Sequence, residues 1–97
     1  MDLPDITHRA DHRRGQFAIE LGGTRAAFLE YAWTGDREAA IEYVQVDPAL
    51  RGRGVGARLV AAAVEWARAE EIRLVPLCSY AAVVFKRTPA YADVLSK

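Results

Sequence analysis

Six consecutive residues, Arg51-Gly52-Arg53-Gly54-Val55-Gly56, have the types and spacing to hold a phosphate group. They stand directly before a segment with helical periodicity. The first amides of a helix have no internal partners, and the helix dipole places partial positive charge there. Glycine lets the backbone approach a ligand and adopt conformations that a side chain forbids. Arg51 and Arg53 add charge-assisted donors. A pyrophosphate is the natural guest of such a terminus. A mere change of chain direction needs neither three glycines nor two arginines.

Two better-known phosphate loops fit less well. Gly52-x-Gly54-x-x-Ala57 formally satisfies the dinucleotide fingerprint. The strands before it, however, read as an antiparallel meander, five residues separate Val46 from Gly52, and no acid ends the next strand near Leu77 to hold a ribose. A nucleotide-triphosphate loop is excluded because the chain has no Gly-Lys-Ser/Thr. His8 and His12 flank Asp11 at the four-residue spacing of a helical metal pair, but their segment reads as a loose tail with no further ligand nearby, so no metal site is expected. Trp33 and Trp66 read as core or cleft-wall rings, because no basic stripe accompanies them as a base-stacking platform would require.

The elements that must position the loop follow from periodicity. Residues 1–14 are polar and charged and read as a loose N-terminal tail, leaving 15–97 as the folded domain. Gln16 to Leu21 alternates around Phe17, Ile19 and Leu21, the period of a half-buried strand. After a turn at Gly22-Gly23 the alternation resumes from Thr24 through Ala27, Leu29 and Tyr31 to Trp33. Gly35-Asp36 is a second turn, followed by a strand from Glu38 to Val46. Three strands and two short turns predict an antiparallel meander. Asp47-Pro48 ends the third strand. The strongest helix runs from Val55 to Glu71, with Leu59, Ala63 and Trp66 on its apolar stripe and Arg58, Glu65 and Arg68 opposite. Arg73 to Leu77 is a short apolar strand, parallel to the third through a crossover. Residues 79–87 form a short C-terminal helix stopped by Pro89. The expected fold class is therefore α/β of the α+β type, with a mixed sheet.

Composition narrows the partners. The 97 residues have room for one domain. Charged residues make up 27% and cancel to a formal charge of zero, which predicts no nucleic acid and no membrane surface as partner. No apolar run approaches the roughly 20 residues of a membrane span. The start Met1-Asp2-Leu3-Pro4-Asp5 lacks a secretory signal's apolar segment, and Cys78 is the one cysteine, so a cytoplasmic location is expected. Exposed edges of a small sheet allow a monomer or a homodimer.

Arg51-x-x-Gly54-x-Gly56, led in by Val46-Asp47-Pro48, resembles the acyl-CoA pyrophosphate motif of the GNAT acyltransferase superfamily. Pro76-Leu77-Cys78-Ser79-Tyr80 and Pro89-Ala90-Tyr91-Ala92-Asp93 resemble the C-terminal signature of its short YjdJ-like branch. The resemblance spans about residues 16–95. Two positions depart from it. Tyr43 and Val44 stand where that branch commonly has His-Thr, and Lys86 follows Phe85 where full-size relatives often place a tyrosine acid.

The resemblance implies an N-acetyltransferase using acetyl-CoA (coenzyme A) and a small-molecule or peptide amine acceptor. Its third and fourth strands would splay apart, with the Val44 and Val46 backbone bonding the pantetheine arm. The implied cofactor-binding set is Val44, Val46, Arg51, Gly52, Arg53, Gly54, Val55 and Gly56. Glu42 is the candidate base, Cys78 a candidate acyl acceptor or acid, and Tyr80 a candidate proton donor to the leaving thiolate. Each has a plainer role open to it: a surface acid, a buried small hydrophobe and a packed ring. The alternative function is a CoA-binding module or pseudo-enzyme, with or without an acyl group on Cys78. A nucleotide-binding fragment is the third reading.

Overall fold

In the computed structural model, which describes residues 3–96, five strands form one sheet in the order β1-β2-β3-β4-β5. They are β1 Thr7–Ala10, β2 Arg14–Leu21, β3 Thr24–Gly35, β4 Glu38–Val46 and β5 Arg73–Pro76. The first four are antiparallel neighbours, and β5 lies parallel to β4. The crossover is α1 Val55–Glu70, and α2 Ser79–Arg87 follows β5. Short 3-10 segments occupy Pro48–Leu50 and Pro89–Val94. Among the described residues no helix is long and apolar enough to cross a membrane.

The mixed sheet, the crossover and the short last helix match the sequence reading, with one correction. The antiparallel part has four strands, not three, because the segment expected to be a loose tail supplies β1. His8 pairs with Phe17 and Arg9 with Gln16. All four β1 residues are exposed, so no apolar alternation marks the strand. Its turn is built by Asp11, whose Oδ1 accepts from the Arg13 and Arg14 amides at 2.7 and 2.9 Å. Those two amides hold the Asp11 carboxyl below its ordinary range. Smaller differences lie at the element ends. The last strand stops at Pro76 instead of Leu77, and α1 stops at Glu70 instead of Glu71. Glu71 takes the left-handed conformation, and Ile72 N donates to Ala67 O at 2.8 Å, closing a Schellman motif.

Alternation decides which face is covered. Phe17, Ile19, Ala27, Leu29, Tyr31, Ala39, Ile41 and Leu74 turn one face of the sheet toward Leu59, Val60, Ala63, Val64 and Ala67 of α1. Each fully buried Leu, Ile or Val contributes about 1.5–3 kcal/mol. The 3-10 segment Pro89–Val94 is tied to α1 by Arg68, which binds Asp93 at 2.7 Å and Ala90 O at 2.7 Å. The opposite face carries no helix and presents charged and polar side chains. There Arg14 reaches Glu42 at 2.8 Å and Glu30 at 3.7 Å, while Arg25 stacks on Phe28.

Under the helix, five rings pack together. His8 stacks on Phe17 with centroids 4.0 Å apart, and its Nε2 hydrogen-bonds the Tyr31 hydroxyl at 2.7 Å. Trp66 meets Phe17, Tyr31 and Trp33. Burial pushes the Tyr31 hydroxyl up to about 12 and lowers the His8 imidazole below its ordinary value. The two tryptophans therefore belong to the core and not to a cleft wall.

Candidate active site

The sheet forks where β5 leaves β4. Parallel pairing runs from Glu38 with Arg73 to Ile41 with Pro76, and Ile41 O then accepts from both Leu77 N and Cys78 N. Beyond Ile41, β4 continues to Val46 with no β5 residue beside it. A β-bulge sits at the same place: Glu30 pairs with Tyr43 and Tyr31 with Ile41, leaving Glu42 as the extra residue. The bulge inverts the alternation, so that Val44 and Val46, paired with Leu29 and Ala27, face the helix side. Asp47 N donates to Ala26 O at 2.8 Å, toward β3. Alternation along the strand then turns the N–H and C=O groups of Val46 and Val44 to the other edge, into the fork. A half-exposed edge of that kind, with no strand beside it, can pair with an extended ligand.

The 3-10 segment and the glycine loop bring the chain from β4 to α1 across the mouth of the fork. Asp47 caps that segment by accepting from Ala49 N at 2.9 Å, and Leu50 anchors it in the core. Gly52 and Gly54 have φ of +81° and +71°, which L side chains rarely adopt, and a Cβ on either would meet open space. Gly54 is the N-cap of α1 and has no side chain with which to satisfy its first amides. The first turn, Val55-Gly56-Ala57-Arg58, contains no acid. Those amides are left facing the cleft, with the positive end of a 16-residue helix behind them.

The result is a cleft of about 600 Å³. Of the residues expected to hold the cofactor, Val44, Val46, Arg51, Gly52, Gly54, Val55 and Gly56 line it, and Arg53 is exposed beside them. Tyr80 closes it from the first turn of α2. A Cβ on Gly56 would come within 2.8 Å of the Tyr80 hydroxyl, so this glycine lets the ring lie against the start of α1. Gln45 and Leu50 also line the cleft, and sequence reading missed both. Gln45 alternates to the helix-free face, paired with Phe28, and lines the cleft between Val44 and Val46. The fork is the splay that the family resemblance implies, whereas the bulge at Glu42 has no signal in the sequence.

The other two candidate catalytic residues lie outside that lining. Glu42 sits at the bulge, its carboxylate bound by Arg14 on the helix-free face. Cys78 is half-buried at the N-cap of α2 and packs against the core cluster.

A sheet forked at a bulge, with an uncapped glycine-led helix across the fork, is the arrangement of a GNAT-type N-acetyltransferase. The family model for GCN5-related N-acetyl-transferase matches residues 16–94, and the chain belongs to that family. It is 34% identical to Protein NATD1 of Bos taurus over 80 residues, covering 81% of this chain and 71% of that protein. With Protein NATD1 of Xenopus tropicalis it shares 30% over 89 residues, covering 89% and 82%. The solution structure of a GCN5-like protein from Staphylococcus aureus superposes with a TM-score of 0.77 at 27% identity, covering 99% of this chain and 91% of that one. An acetyltransferase structure from Bacillus anthracis, solved in complex with acetyl coenzyme A, superposes with a TM-score of 0.55 at 26% identity, over 77% of this chain and 45% of that one.

Proposed function

We propose that this enzyme transfers an acetyl group from acetyl-CoA to a primary amine in a single direct step. The observation that carries this is the cleft itself: glycines at positive φ with open space before them, uncapped helix amides behind them, and an unpaired strand edge leading inward. A pyrophosphate fits the first two, and an extended amide-bearing arm fits the third. Close mutual coverage with the short Staphylococcus aureus chain supports a place in the short YjdJ-like branch.

Bound acetyl-CoA would supply a thioester: the amine nitrogen forms a bond to its carbonyl carbon, the C–S bond breaks, one proton leaves nitrogen and one is taken up by sulfur. The amides of Gly54 to Gly56 and the Arg51 guanidinium hold the phosphates. The Val44 and Val46 backbone aligns the arm, and an N–H of that edge polarises the carbonyl oxygen. Tyr80, which lines the cleft from α2, gives its hydroxyl proton to the departing sulfur. Glu42 takes the amine proton through water from the helix-free face, where Arg14 orients its carboxylate. Cys78 lies outside the cleft lining, which favours direct transfer over an acyl-cysteine.

Free-thiol release with acetyl-CoA and a mixed amine panel tests this reading. Wild type should turn over. Tyr80→Phe, which keeps the ring and loses the hydroxyl, should lower kcat about hundredfold with unchanged CoA affinity. CoA binding without thiol release from wild type would leave a binding module in place of an enzyme.

A further inference from the structure

The three glycines of the loop do different work. Gly52 and Gly54 have positive φ, and a Cβ on either would stand in open space. Gly56 is the reverse. It lies inside α1 without a positive φ, where alanine is the more favourable helix residue. What excludes alanine is a neighbour: the added Cβ would meet the Tyr80 hydroxyl at 2.8 Å and two ring carbons of Tyr80 at 2.9 Å. The three nearest atoms all belong to that one side chain. The seat of the tyrosine is a missing methyl group on α1.

The helix that carries Tyr80 cannot draw back to make room. Leu77 N and Cys78 N, just before its first turn, both donate to Ile41 O, at 3.1 and 3.0 Å. Ala81 and Phe85 hold its inner face in the core. Only the ring can yield. Tyr80 is 42% exposed, so a Cβ on Gly56 would turn it outward without opening the core. Its hydroxyl makes no hydrogen bond with the described residues, so packing against Gly56 is what fixes its place in the cleft.

We propose that Gly56 is a positioning residue: its bare Cα holds the Tyr80 hydroxyl at the point in the cleft from which it protonates the departing sulfur. This rests on the acetyl-transfer reading above. Alanine at this position would keep the backbone N–H that meets phosphate and displace only the ring. The cost should fall on the transfer step and not on cofactor binding, since a misplacement of about 1 Å can lower a rate about hundredfold.

The test compares wild type, Gly56→Ala, Tyr80→Phe and the double variant by three measurements: tyrosine-ring NMR of the free protein, acetyl-CoA calorimetry, and thiol release with acetyl-CoA and a mixed amine panel. The exposed ring can turn into solvent, so Gly56→Ala should fold. Wild type should show a nuclear Overhauser contact between the Gly56 α-protons and the Tyr80 ring, and Gly56→Ala should lose it. Its kcat should fall roughly ten- to hundredfold with acetyl-CoA affinity unchanged. In the Tyr80→Phe background the same substitution should leave kcat where it is, because no proton donor remains to be misplaced. An unmoved ring, a loss of acetyl-CoA affinity in place of kcat, or an equal fall in kcat in both backgrounds would overturn the positioning role and leave acetyl transfer standing. Wild-type kcat in Tyr80→Phe would overturn the proton donor together with its seat. Acetyl-CoA binding without thiol release from wild type would overturn the transfer reading and this role with it.

Discussion

Gly54→Val should lower CoA affinity at least hundredfold, roughly 2.7 kcal/mol, while the domain stays folded. Gly54 holds φ of +71° at the N-cap of α1, and β-branched residues adopt that region only under strain. No protein atom lies within 4 Å of the added Cβ, so the fold has room for it. The space it would fill is the approach of a phosphate to the helix amides. Losing two charge-assisted hydrogen bonds of about 1.5–3 kcal/mol each accounts for the expected drop. Gly54→Asn separates strain from obstruction, because asparagine tolerates the left-handed region. Calorimetry should show both variants weakened. Full affinity in Gly54→Val would remove the glycine loop from the binding account.

Gly15→Ala should destabilise the protein by about 3 kcal/mol, although alanine normally improves a strand interior by about 0.5–1 kcal/mol. Gly15 is the direct cross-strand partner of Tyr31, and the tyrosine ring lies over it. A Cβ there would overlap the ring and its hydroxyl. The ring has nowhere to go: Tyr31 is fully buried against Trp66, Phe17 and Trp33, with its hydroxyl on His8. For a domain of this size the melting temperature should fall by roughly 12–24 °C. In a Tyr31→Leu background the same substitution should cost far less, since the overlap is gone. Equal costs in both backgrounds would show that the ring does not exclude the side chain.

Much of this arrangement is legible from residue order, and what is not has specific causes. The alternation through Phe17 and Ile19, then Ala27, Leu29 and Tyr31, reports one buried face directly. The glycine loop is legible because its chemistry is contiguous: donors, glycines and helix start stand side by side in the chain. β1 is not legible, because its four exposed residues are held by the backbone ladder, the Asp11 turn and the stacking of His8 on a ring nine residues away. The bulge at Glu42 is likewise silent. Uniform alternation from Ile41 would send Tyr43 and Gln45 inward, whereas the extra residue sends Val44 and Val46 there instead. That inversion exposes Tyr43 on the helix-free face and carries Glu42 to Arg14, two consequences with no local signature. Tyr80 was legible as a ring near the last helix, but its seat against Gly56 depends on the packing of α2 beside α1.

The central claim is that CoA binds along the fork with its phosphates on the start of α1. Amide chemical shifts of the 15N-labelled protein, followed during titration with acetyl-CoA, test it most directly. The largest changes should fall at residues 51–58 and at Val44 and Val46, with Tyr80 moving alongside them. Shifts confined to Arg9, Arg14 and Arg25 on the helix-free face, with residues 51–58 unmoved, would contradict the account.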